Sequence, residues 1–328
     1  MPIRVVTADN KPVAGARVHV FSPAKTYFDG VTGTDGRALW LPALEGNSQA
    51  QDLQIEISPP AGMAAAATKT ALPEGTEWSF TLKGDAPAVA KVDIAFVFDA
   101  TGSMGDEMAW LKAEIGDIVS EVKAINSQLS LRLALVVYRD VGDAYVTRSF
   151  DFTEDVDKFL ADLGKQGAGG GGDYPEAMEQ GLSDMNQMSW REGPVARVAF
   201  VIADAPPKAH NMQKAVDEAL VARSQGIRLY SLAASGTGDR AEYVLRAMSM
   251  LTGARYLFLT DDSGVGNGHA EPHIPCHHVM LLHTLMRRTI LAEIAGKRTP
   301  PENSEIIKSV GKPQQGYCEL KDGEKAWL

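Results

Sequence analysis

Oxygen-bearing side chains occupy alternate positions just after a short apolar run. Asp99, Thr101 and Ser103 follow residues 92–98, whose β-branched and aromatic side chains predict a strand buried on both faces of a parallel sheet. Apolar residues then recur at helical spacing, so these three side chains lie in the loop at the carboxyl end of that strand. Doubly wound sheets bind ligands at this edge. One carboxylate and two hydroxyls suit a hard divalent cation such as Mg²⁺.

Two later loops add carboxylates that would reach the same edge. A glycine run at 169–172 leads into Asp173 and a helix, and a second apolar run at 198–203 ends in Asp204. Because parallel strands end at one edge of their sheet, we expect these loops to meet around one Mg²⁺, Mn²⁺ or Ca²⁺ ion. The predicted ligands are Asp99, Thr101, Ser103, Asp173 and Asp204.

These loops also allow other interpretations. Ser103 and Asp106 fit a helix N-cap with its capping-box partner. The glycine run could cradle a phosphate, but it lacks the Gly-Lys-Ser/Thr of a P-loop. Asp140, which follows Arg139 at the same predicted edge, could support the ion from outside its ligand shell or pair locally with Arg139.

The stretch from about residue 92 to 260 resembles a von Willebrand factor type A (vWA) domain. The family's metal-ion-dependent adhesion site (MIDAS) has an Asp-x-Ser-x-Ser loop, a second loop with Thr or Asp, and a third with Asp. The resemblance implies that Asp99, Thr101 and Ser103 form the first loop, with Asp173 in the second and Asp204 in the third. Thr101 keeps the hydroxyl of the family's first Ser, whereas Asp173 adds a negative charge. Asp-Ala-Thr-Gly-Ser-Met and Gly-Gly-Gly-Asp-Tyr-Pro-Glu are more similar to the intracellular subgroup.

The order of strand and helix signals predicts the fold class. Residues 1–84 carry short alternating runs separated by turns, which predict a small all-β sandwich. The phrase at residues 11–18, with Thr34-Asp35-Gly36 downstream, resembles carboxypeptidase-regulatory-like immunoglobulin-type modules. Residues 85–91 are a predicted linker. Residues 92–260 alternate strands and helices, which predicts an α/β doubly wound, mostly parallel sheet with an antiparallel edge strand near 146–152.

Residues 261–328 form a predicted C-terminal extension with a packing helix near 276–296. Five of the seven histidines fall between His269 and His283, together with Cys276. Such ligands could bind Zn²⁺. The helical pattern and the missing His-Glu-x-x-His arrangement instead favour a helix that packs on the sheet, without zinc.

Composition narrows the function classes. The net charge of −10 disfavours nucleic acid and anionic membrane surfaces as partners. No signal peptide or apolar run of membrane-spanning length is visible. Two cysteines do not make a disulfide framework, so free thiols and a cytoplasmic location are expected.

The resemblance implies a non-enzymatic protein-interaction module. In the family, the Asp or Glu side chain of a protein partner completes the coordination of Mg²⁺. One alternative is an accessory subunit that couples a partner ATPase or kinase to its target. Another is a metal-dependent hydrolase, but no nucleophile–base arrangement is evident near the three loops.

Overall fold

The chain is described from a computed structural model. The described residues are 2–45, 53–63, 67–69, 77–265, 269, 276–312, 317–319, 323 and 325–327. Among them, no helix is both long and apolar enough to cross a bilayer.

Two small sheets form in the N-terminal part of the described chain. The elements are β1 Pro2–Thr7, β2 Arg17–Ser22, β3 Lys25–Val31, β4 Arg37–Leu39, the single turn α1 Pro42–Glu45, β5 Gln54–Ser58, β6 Ala67–Lys69 and β7 Trp78–Leu82. One sheet has the order β4-β1-β7 and the other β3-β2-β5-β6. All their pairings are antiparallel except β1 with β7. The predicted period-two alternation is observed in β5 and β7, and Trp40 and Trp78 pack in the core with ring centroids 5.4 Å apart.

A six-stranded sheet dominates the following region. Its elements are β8 Lys91–Asp99, α2 Gly105–Ile125, β9 Ser130–Tyr138, β10 Thr147–Thr153, α3 Val156–Gly164, α4 Met178–Asn186, β11 Val195–Ala203, α5 Met212–Ser224, β12 Arg228–Ala233, α6 Asp239–Leu251 and β13 Leu257–Phe258. The strand order is β10-β9-β8-β11-β12-β13. The pairings are parallel except for edge strand β10, which is antiparallel to β9. The predicted α/β class is therefore confirmed.

Helices cover both faces of this sheet because its strands are apolar on both faces. On one face, Phe96 and Phe200 pack with α2, α3 and the C-terminal helix α7 (Leu282–Ala295). On the other face, Val97 and Val201 pack with α4, α5 and α6. The strand order reverses between β8 and β11, since β9 lies on one side of that pair and β12 on the other. Asp99 ends β8 and Asp204 follows β11, so both lie at the topological switch point.

The N-terminal sheets contact the opposite end of the large sheet. Arg228, the first residue of β12, donates to Asp35 at 2.8 Å, and Arg223 near the end of α5 pairs with Glu45. A Cβ on Gly15 would lie 2.5 Å from the carbonyl of Gly193, just before β11. The carboxyl ends of the strands therefore face away from this interface.

The C-terminal segment differs from its prediction. Residues near 276 form a short strand, β14 His277–Val279, paired with β15 Lys308–Val310, and α7 begins only at Leu282. Another pair joins β16 Tyr317–Glu319 to β17 Lys325–Trp327. Cys276 and Cys318 form a disulfide, so the expectation of free thiols is wrong. Met286 and Ile290 of α7 are buried in the core on one face of the large sheet.

Candidate functional site

The first loop turns back on the carboxylate that precedes it. Asp99 is fully buried, and its Oδ1 accepts hydrogen bonds from the Thr101 amide at 3.0 Å and the Thr101 hydroxyl at 2.7 Å. Its other oxygen, Oδ2, is buried with no hydrogen-bond partner in the described structure. A buried carboxylate oxygen without a partner is energetically costly. Asp99 Oδ2 is therefore suited to bind a cation.

The third loop brings a second buried carboxylate to this position. Asp204 is 5% exposed, and its Oδ1 also lacks a hydrogen-bond partner among the described residues. The Ser103 hydroxyl forms a hydrogen bond with the Asp204 carboxylate. Ser103 lies in a 3₁₀ turn, Gly102–Met104, and neither this turn nor α2 has a side-chain cap. The capping interpretation of Ser103 is therefore wrong, because its hydroxyl faces Asp204 instead.

The electrostatics of the pair follow from burial. Burial raises the pKa of Asp99 to about 7, and the nearby charges of Asp204 and Glu107 add to this rise. Burial also raises the pKa of Asp204, against the bond from Ser103, which lowers it. Both carboxylates are thus costly to ionise together in the protein alone. A bound cation would remove much of that cost.

The glycine run packs against the first loop through its backbone. Gly169 donates to the Ala100 carbonyl at 3.0 Å, and Gly102 donates to the Gly170 carbonyl at 3.2 Å. The Gly171 amide donates to Asp143 at 3.0 Å. Gly170 has a φ of +81°, and a Cβ there would lie 2.5 Å from the Asp143 carboxylate. These amides are already used within the protein, which favours a packing role over the phosphate cradle.

Asp173 is placed differently from the other predicted ligands. Its side chain is 64% exposed, and its carboxylate lies 3.6 Å from the Lys208 ammonium. Within the described structure, no hydrogen bond or ion pair joins Asp173 to Asp99, Thr101, Ser103 or Asp204. Hydrogen bonds join those four side chains in two pairs, Thr101 with Asp99 and Ser103 with Asp204. The charge of Asp204 also raises the pKa of Asp99, which couples the two pairs.

Asp140 pairs with a lysine and not with its neighbouring arginine. Its Oδ2 accepts from Lys208 at 2.7 Å. Arg139 instead donates to the carbonyls of Ala100 at 3.0 Å and Gly167 at 2.7 Å. The alternative of a local Arg139–Asp140 pair is therefore wrong, because the Arg139 guanidinium bonds to carbonyls of the first loop and the glycine loop instead.

Two buried glutamates beside the site were not among the predicted residues. Glu176 is 3% exposed, and burial with the nearby charge of Asp99 raises its pKa to about 8. A Cβ on Gly171 would lie 2.8 Å from Glu176 Oε1 and 3.1 Å from the Thr101 Cβ, so Gly171 packs against both side chains. Glu107 is 2% exposed. Its position four residues before Leu111, on the apolar face of α2, was the sequence signal for its burial.

The donor set fits a hard cation with few protein ligands. No three His, Cys, Asp or Glu side chains of the described part converge closely enough to hold a metal by themselves. The available donors are two carboxylate oxygens without partners and the hydroxyls of Thr101 and Ser103. Mg²⁺ suits such a site because it keeps several waters and binds through one or two carboxylates.

The described histidines of the C-terminal segment contact separate partners. The His269 ring lies 3.1 Å from the Ser235 hydroxyl, and the His277 ring packs edge-on against Phe258 with ring centroids 5.0 Å apart. His278 lies 2.8 Å from the Ser309 hydroxyl. His283 contacts Glu114 at 2.9 Å and Glu121 at 3.2 Å. His273, which the zinc interpretation would also use, lies outside the described residues. In its disulfide, Cys276 offers no thiolate to a metal.

Comparisons with known proteins find similarity in the central region. Residues 93–229 match the family model described as von Willebrand factor A domain. The chain is 30% identical over 142 residues to an alpha-protein kinase of Dictyostelium discoideum, covering 43% of this chain and 23% of the kinase. It is 32% identical over 130 residues to a putative ariadne-like RING finger protein of Acanthamoeba polyphaga mimivirus, covering 39% of this chain and 12% of that protein.

A solved structure, the conserved hypothetical protein BatB from Bacteroides thetaiotaomicron, is similar at 14% identity and a TM-score of 0.39, over 63% of this chain and 98% of that one. The chain spans less than a quarter of the length of either curated relative. The family match and the sheet order together support a von Willebrand factor A-type domain in this region.

Proposed function

We propose that this chain is a protein-interaction module whose binding depends on a divalent cation, Mg²⁺ above all. Asp99, Thr101, Ser103 and Asp204 would hold the cation at the carboxyl edge of the sheet. The observation that carries this proposal is the pair of buried carboxylate oxygens without partners, Asp99 Oδ2 and Asp204 Oδ1. When bound, the cation supplies a Lewis-acidic centre that can accept an oxygen ligand from outside the chain.

The charge of the site favours a carboxylate from the partner. Two aspartates neutralise a divalent cation, and the pairing of Asp173 with Lys208 keeps a third acid engaged elsewhere. A centre of this kind remains electrophilic enough to attract an Asp or Glu side chain of a partner protein. Asp173 lies exposed, where it can act through water or contact the partner directly.

The relatives support an attached, non-catalytic role. In both curated relatives the matched segment is a small part of a longer protein, one named as a kinase and the other as a RING finger protein. This arrangement fits an interaction module that works beside other activities. The same reasoning keeps the accessory-subunit role within the proposal. The expected cytoplasmic location loses its basis in free thiols, because Cys276 and Cys318 form a disulfide and such bonds are rare in the cytosol.

The test is metal-dependent stability. Thermal melts of the full chain in EDTA, Mg²⁺ and Mn²⁺ should show stabilisation by about 2.7 kcal/mol at a hundredfold excess over the dissociation constant. Asp204→Ala should abolish this gain and keep the fold, because residue 204 follows a strand end. Asp173→Ala is the matched control, and it should keep most of the gain. Identical wild-type melts in all three solutions would refute the proposal.

A further inference from the structure

A hydrogen-bonded chain of side chains leads from the C-terminal segment to the edge of the site. Glu107, in the first turn of α2, accepts from the Ser235 amide at 2.8 Å and from the Ser235 hydroxyl at 2.6 Å, both on Oε1. The Ser235 hydroxyl oxygen lies 3.1 Å from His269 Nε2. Three separate parts of the chain therefore meet here: the helix after the first loop, the loop after β12, and the segment beyond β13.

The far end of this chain lies beside the two site carboxylates. Glu107 is 2% exposed, and its Oε2 is buried with no hydrogen-bond partner in the described part. Its negative charge acts on both Asp99 and Asp204. Glu107 Oε2, an acceptor beside the site without a partner among the described residues, can accept a hydrogen bond from a water on the cation.

His269 fixes the other end. Its side chain is 1% exposed, and its Nδ1 lies 3.6 Å from Asp261, whose carboxylate also accepts the His269 amide at 2.7 Å. A hydroxyl has one proton, and the proton of Ser235 goes to Glu107. Ser235 must then accept from His269, so that the imidazole carries its proton on Nε2. The order of donation runs from His269 through Ser235 to Glu107.

We infer that Glu107 is a positioning residue of the metal centre, held in place by Ser235 and by His269 from the C-terminal segment. The inference rests on the proposed metal-dependent function and adds residues that the three loops do not supply. Supporting carboxylates outside the ligand shell orient coordinated groups, and their loss commonly weakens metal affinity by about 10–100-fold. Through this chain, the segment after the vWA-type region controls how tightly the cation binds.

The experiment is a double-mutant cycle on the full chain, with Mn²⁺ as the probe. The dissociation constant of Mn²⁺ is measured by electron paramagnetic resonance for the wild type, Glu107→Gln, His269→Ala and the double variant. We expect each single change to weaken Mn²⁺ binding by about 10-fold or more. The double variant should be no weaker than Glu107→Gln alone, because His269 acts only through Glu107.

Two further variants separate positioning from general loss of structure. His269→Gln keeps a donor near the place of Nε2 and should restore near-wild-type affinity. His278→Ala changes a histidine of the same segment that contacts Ser309, and it should leave Mn²⁺ binding unchanged.

The outcomes distinguish the two proposals. A wild type that does not bind Mn²⁺ overturns the metal-dependent function and this inference with it. If the wild type binds but His269→Ala binds equally well, the positioning role is wrong and the metal site stands. The same conclusion follows if the two losses add in the double variant, or if His269→Gln is as weak as His269→Ala.

Discussion

Removing the most buried carboxylate of the site should make the metal-free protein more stable at alkaline pH. The perturbation is Asp99→Asn, which keeps an oxygen to accept both Thr101 bonds but cannot ionise. In the folded wild type, burial raises the pKa of Asp99 from 3.8 to about 7. An acid with a raised pKa contributes stability at low pH, and this contribution is lost as the pH rises through the folded pKa.

The magnitude follows from linkage. A rise of the pKa from 3.8 to about 7 corresponds to roughly 4 kcal/mol when the group is fully ionised. Part of this stability is already lost at about pH 5, because the Asp99 carboxyl is ionised there in the unfolded chain but still protonated in the folded protein. Between about pH 5 and pH 8, Asp99 alone should therefore lower the free energy of unfolding by roughly 2–3 kcal/mol.

Urea unfolding in EDTA at both pH values measures this difference. The wild type should lose stability from about pH 5 to pH 8, and Asp99→Asn should lose roughly 2–3 kcal/mol less. Mg²⁺ should restore the wild type at the higher pH and leave Asp99→Asn unchanged. Asp173→Asn is the control, since that side chain is 64% exposed. The reasoning fails if Asp99→Asn keeps the wild-type slope with pH.

Three further changes test the scaffold around the site. Gly170→Ala should destabilise the fold by about 1–2 kcal/mol or more, because the new methyl meets Asp143; an unchanged melting temperature would contradict this packing. Arg228→Ala should cost about 1–3 kcal/mol in chemical unfolding, because the Asp35 carboxylate across the interface and the Thr252 carbonyl lose their donor; a loss below the experimental error would argue against the interface. Cys318→Ser should increase the rate of limited proteolysis within the C-terminal segment, because Cys276 loses its cross-link; equal cleavage rates would show that the disulfide does not order it.

Much of the central fold was predictable because its signals are local. The apolar runs that become β8 and β11 are too continuous for a half-exposed strand, and each ends in a single aspartate. In a parallel sheet these two facts place Asp99 and Asp204 at one edge. Lys208 follows Asp204 by four residues, so its ammonium group could be expected near the same loops. The pairing of Lys208 with Asp140 could not be inferred from spacing.

The second loop was harder to predict because its conformation depends on glycine. Gly170 and Gly171 both have positive φ, a region open to glycine at little cost. Their backbone path decides which acid turns inward, and it turns Glu176 toward the first loop and leaves Asp173 exposed. Glycines impose no side-chain pattern, so a linear sequence gives no period from which to choose between the two acids.

The prediction for the C-terminal segment was wrong for a different reason. The residues from Cys276 to Val279 fit a helical pattern continued backward from α7. The strand they adopt depends on pairing with residues some thirty positions later and on a disulfide to Cys318. Both are non-local contacts, which override a weak local propensity.

The two ends of the large sheet have separate roles in this arrangement. The N-terminal region contacts the amino end of β11 through Gly15, the amino end of β12 through Asp35 and the end of α5 through Glu45. The candidate site lies at the carboxyl ends, about 30 Å away along a nine-residue strand. A partner can therefore reach the site without displacing the N-terminal sheets. The C-terminal segment, in contrast, returns to the site edge through His269, so changes in that segment are the ones that should alter binding there.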